Sequence, residues 1–369
     1  MTPHPLAWLA ALAVAILLCR PWLEARRPIA SLGLLIGVML GPGGTGLIPS
    51  GLLGGLQPLK ALAAGWLALL AAESLDLETL RRLPVRGRLW TLLIPAAVLG
   101  TLGWFVGDGM ALPLACLALA LDPDAVRHAL SRVSRADLSA RFAPMLATVA
   151  LGLSLLCSVL TLQAPAPSPA TAAMAVAHGS LTLLLGVGLG LFFVGPLRLA
   201  QGKEFLLALI VSLPLLGWGL ATRLGMSAPA VVFVAGLVLA HDRTRRELFF
   251  TLLREHERLF TVALMTLTGA GLGYGSGLLL DARFWWLVAA LAVARPLAWG
   301  LTRPGGLTAT QTLTMSPLAL TLAALGWGWQ QPDAAGGPLA AAAGVAFVLG
   351  EVTWLWLGHA PAARQEAAA

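Results

Sequence analysis

Two dipeptides, Asp122-Pro123 and Ser316-Pro317, each interrupt a long apolar stretch of the chain. Asp and Ser side chains accept hydrogen bonds from the free N–H groups of a helix's first turn. Pro fits the first helical position without losing a needed donor. Each dipeptide therefore reads as a helix restarting inside an apolar layer. Asp122 is the leading chemical candidate, because low-dielectric surroundings penalise a bare carboxylate, which then holds either a proton or a cation. Its plainer reading is a helix cap, with Asp124 and Arg127 marking the start of a cytoplasmic helix. Arg295 lies about eleven residues into another apolar stretch and reads as a fixed counter-charge or as a side chain snorkelling toward Arg303. Ser316, with Thr312, Thr314 and Thr321 nearby, offers the oxygen ligands that a hard monovalent cation needs. The threonines serve equally as hydrogen-bonding glue between membrane helices.

Four further ionisable residues are weaker candidates. Glu73 and Asp76, followed by Glu78, Arg81 and Arg82, read most simply as an interfacial helix end with local ion pairing. Glu351 reads as a structural or snorkelling acid, and His178 as an isolated structural polar residue. No metal-binding cluster is indicated, since Cys19, Cys116 and Cys157 all fall in apolar runs.

The elements that must position these groups follow from composition. Hydrophobic residues make up 58% of the 369 and charged residues only 11%, against roughly 25% charged in soluble domains. With a mean hydropathy of +0.84, the chain reads as an all-α polytopic membrane protein. Its basic residues sit in short loops, where they set orientation rather than bind nucleic acid. Only Lys60 and Lys203 are lysines among the 24 basic residues, a codon-bias hint of a GC-rich bacterium. The run Leu6–Cys19 is short enough for a signal peptide, but its basic residues (Arg20, Arg26, Arg27) follow it, so it reads as a first span.

A span needs roughly 20 apolar residues. Charged and turn-rich breaks divide the chain into about 13 segments: 6–22, 29–48, 57–75, 89–107, 110–130, 142–162, 170–195, 204–222, 226–240, 257–279, 284–301, 308–329 and 338–358. The loops after the odd-numbered spans and the tail carry 20 basic residues; the opposite side has Lys60, Arg223 and Arg283. That asymmetry puts the N-terminus outside and the C-terminus in the cytoplasm. The broken segments are spans 5 and 12, which occupy equivalent places in oppositely oriented halves. Residues 1–162 and 201–360 thus read as two inverted repeats, with linking span 163–200 between them and tail 361–369 after them. Crossed, broken helices would carry the ion site.

The glycines at 33, 37 and 41, and again at 269, 273 and 277, make GxxxGxxxG faces for close helix packing. Trp22, Trp90, Trp285, Trp286 and Trp356 fall near span ends, as an interfacial belt requires.

Several pieces, in this order, resemble the monovalent cation:proton antiporter superfamily, whose membrane domain is that of sodium/hydrogen exchangers, nearest its bacterial thirteen-helix branch. SLGLLIGVMLGPGGTGLIP (31–49) is similar to the family's LGPxGLGLI segment, and ESLDLETLRR (73–82) to its ELDLRRLRR-like helix end. LALDPDAV (119–126) sits where the family has a (T/S)(D/S)P unwound element, and 203–240 resembles its paired helices ending in GxxLAGLxLA. Arg295 stands where the family carries a basic residue within a span. The resemblance implies proton exchange for Na⁺ or K⁺, a homodimer, and no cofactor.

Two departures qualify it. Cation-exchanging members usually carry aspartates in the span that here reads FAPMLATVALGLSLLCSVLTL, where Gly152, Leu153 and Ser154 stand instead. The nucleotide-binding cytoplasmic module of potassium-efflux members is absent from the 369 residues, since GAGLGYGSG (269–277) does not fit GxGxxG. The expected function is a non-enzymatic secondary antiporter of the bacterial inner membrane. The alternatives are an antiporter-fold protein with a regulatory or interaction role, which has lost coupled exchange, and a small organic anion transporter.

Overall fold

A computed structural model describes residues 29–73, 75, 169–200, 202–242, 246–272, 285, 288–289 and 343–349. Among these, all regular structure is α-helical. The principal helices are α1 (Ile29–Leu40), α2 (Ser50–Gly55), α3 (Gln57–Glu73), α4 (Pro169–Leu199), α5 (Lys203–Arg223), α6 (Ala228–His241) and α7 (Arg246–Gly271). The expected spans 6–22, 89–107, 110–130, 142–162 and 308–329 lie outside the described residues, as do most of 284–301 and 338–358.

Glycine sets how α1 meets α7. A Cβ at Gly33 would lie 3.1 Å from the Val262 carbonyl oxygen, one at Gly37 would meet the Thr266 carbonyl, and one at Gly41 would lie 2.6 Å from the Ala270 oxygen. Both numbers rise by four together, so the two helices run parallel with their backbones touching along a GxxxGxxxG seam. Gly269 returns the contact from α7, against the backbone of Leu34 and Val38. Such seams replace hydrophobic driving force with close van der Waals packing in lipid. The same device joins α4 to α6, where Gly186 meets Val234 and Gly190 meets Val238, again in parallel. It also joins α6 to α3, where Gly236 sits on Leu69 and Ala72, and α3 to α5, where Gly65 receives the Pro214 ring.

The outer surface has the polarity of a membrane protein. Leu184, Leu191, Phe192 and Leu199 on α4 are 62–77% exposed, while Leu189, Phe193 and Leu197 on the opposite side are buried. A helix apolar on both faces, with its large side chains outward, would be an aggregation site in water and is at home in lipid. Two described helical stretches, Ala177–Leu199 and Lys203–Arg223, are long and apolar enough to cross a bilayer. Helices α1 and α6 are shorter than a full span.

Two expected boundaries are corrected. The span expected at 29–48 stops being helical at Leu40, because Gly41-Pro42-Gly43-Gly44 combines flexible glycines with a residue lacking an N–H. Thr45 turns the chain back, its N–H and Oγ1 both donating to the Met39 carbonyl, at 2.7 and 2.9 Å. The span expected to begin at 257 begins at Arg246, eleven residues earlier. Its first part reads RELFFTLLREHER, too charged for a hydropathy scan to register. Phe249, Phe250, Leu252 and Leu253 nevertheless recur at helical spacing and are each buried.

Candidate functional site

Helices α3 and α7 cross in opposite directions, and their contact holds the polar chemistry of the described bundle. Trp66 lies buried in the middle of α3 and donates from Nε1 to the Leu253 carbonyl at 2.9 Å. Its ring stacks on Phe260 with centroids 4.1 Å apart, and His256 meets its edge at 5.9 Å. His256 itself turns Nδ1 to the Leu252 carbonyl one turn back. One end of this contact is closed by Glu73, whose carboxylate accepts two hydrogen bonds from the Arg254 guanidinium, the Nε one at 3.1 Å. A carboxylate at the last residue of a helix faces the negative end of its dipole. The fork of Arg254 offsets that and ties the end of α3 to α7.

Glu73, expected in a local ion pair, is therefore held by a residue 181 positions away. The backbone carbonyl of His178 accepts from Thr182 Oγ1 at 2.7 Å within the same helix. Trp285 is exposed. A second interhelical ion pair, Arg198 with Asp242 at 3.0 Å, joins the end of α4 to that of α6.

Lys60 is the residue that sequence reading missed. Counted only as a charge of the outer side, it lies in the first turn of α3, 2% exposed, the one charged residue in the buried set among the described residues. The available signal was its position: a cation in the first turn of a helix sits at the wrong end of the dipole, which demands a particular surrounding.

Asp122, Pro123, Asp124, Arg295, Ser316 and Pro317 lie outside the described residues, as do Asp76 and Glu351. What the structure describes is a bundle of other helices. Its helices are locked by glycine seams and two ion pairs, and no group of three or more His, Cys, Asp or Glu residues fit for a metal occurs among the described residues.

Comparison with known proteins gives a fold. No family model matches the sequence, and no curated protein matches it. Among solved structures, the chain is similar to the sodium proton antiporter MjNhaP1 from Methanocaldococcus jannaschii, determined at pH 8, with a TM-score of 0.68 and 15% identity. The match covers 96% of this chain and 97% of that one. The class the architecture defines is thus a helical membrane protein with the fold of a sodium proton antiporter, shared from end to end.

Proposed function

We propose that the chain is a secondary antiporter that exchanges a monovalent cation, Na⁺ or K⁺, for protons across a bacterial inner membrane. The observation that carries this reading is the likeness to a sodium proton antiporter over nearly the full length of both chains. In this reading Asp122 binds a proton or a cation in turn, Ser316 supplies oxygen ligands, and Arg295 neutralises the crossed helix ends. The proton-motive force supplies the energy, and alternate access comes from one bundle moving against another. A single carrier carboxylate makes one-for-one exchange the expected stoichiometry. The N-terminus lies outside, the C-terminus lies in the cytoplasm, and the working unit is a homodimer.

The packing of the described helices supports the inverted repeat, with residues 1–162 and 201–360 as its halves. In this reading α3 corresponds to α7 and α1 to α6, and both the α1–α7 and the α3–α6 contacts are built around glycine.

The absence of any acid from residues 142–162 favours one second reading, a scaffold that has lost coupled exchange. Proton flux in everted vesicles separates the two. Cation-dependent alkalinisation of a respiration-acidified interior, lost in Asp122→Asn, supports exchange. A flat trace for Na⁺, K⁺ and Li⁺ with the protein present supports the scaffold.

A further inference from the structure

We draw no further inference here: the strongest candidate, the outward apolar face of α4 formed by Leu184, Leu191, Phe192 and Leu199 with Gly188 and Gly195 open among them, carries nothing further because nothing in the structure shows what covers it.

Discussion

Gly37→Ala is the sharpest test of the glycine seam between α1 and α7. A methyl group there would meet the Thr266 carbonyl oxygen and stand 2.8 Å from its carbon and 2.9 Å from the Ala270 nitrogen. All three atoms are backbone, so no rotamer change relieves the contact, and the helices must move apart along the whole seam. Overpacking of this kind costs about 1–3 kcal/mol, and separation also weakens the dispersion contacts at Gly33 and Gly41. Alanine's better helix propensity returns at most about 1 kcal/mol. The control is Gly188→Ala on the exposed side of α4, where nothing lies within 4 Å and only the propensity gain operates. The propensity gain is common to both, so the two variants should differ by the overpacking cost, about 1–3 kcal/mol. A shift of roughly 2 °C per kcal/mol, the low end for large domains, places their melting temperatures about 2–6 °C apart. Thermal unfolding in detergent, followed by tryptophan fluorescence or residual monodisperse protein, measures this directly. Gly33→Ala, whose nearest contact is 3.1 Å, should fall between them. Equal melting temperatures for Gly37→Ala and Gly188→Ala would refute the seam.

Two further outcomes follow from the described contacts. Glu73→Gln and Arg254→Gln should each destabilise by no more than about 1 kcal/mol, because Arg254 is half exposed and solvent screens the pair. A double-mutant cycle in the same melting assay should give a favourable coupling, and a coupling of zero would show that the pair contributes nothing. Trp66→Phe removes the hydrogen bond to Leu253 but keeps the stack on Phe260, so it should cost about 1 kcal/mol, clearly less than Trp66→Ala, which also empties core volume at about 3–5 kcal/mol.

Legibility divided along physical lines. Helices set by long apolar runs were readable to within a few residues: 204–222 against Lys203–Arg223, 226–240 against Ala228–His241, 170–195 against Pro169–Leu199. The first part of α7 was not, because its burial is carried by four apolar residues among charges, a pattern of period 3.6 that an apolar-run criterion discards. The stop at Leu40 was written in Gly41-Pro42, yet the apolar residues beyond it masked the break. The close-packing role of Gly33, Gly37 and Gly41 was fully readable from spacing, since nothing but a backbone-to-backbone approach needs three glycines one turn apart. Lys60 fell inside the expected span 57–75, but its burial was missed because charge counting registers only the side of the membrane. The partner of Glu73 was beyond reach, since a contact across 181 residues leaves no local signature.

The central claim is tested most directly by proton flux in everted vesicles from an antiporter-deficient bacterial strain. Respiration acidifies the interior, and Na⁺, K⁺ or Li⁺ is then added between about pH 6 and pH 9, bracketing the range in which a partly buried carboxyl group exchanges protons. The account predicts cation-dependent alkalinisation that disappears in Asp122→Asn while the amount of protein is unchanged. No response to any of the three cations would contradict it, and full activity in Asp122→Asn would remove Asp122 as the carrier.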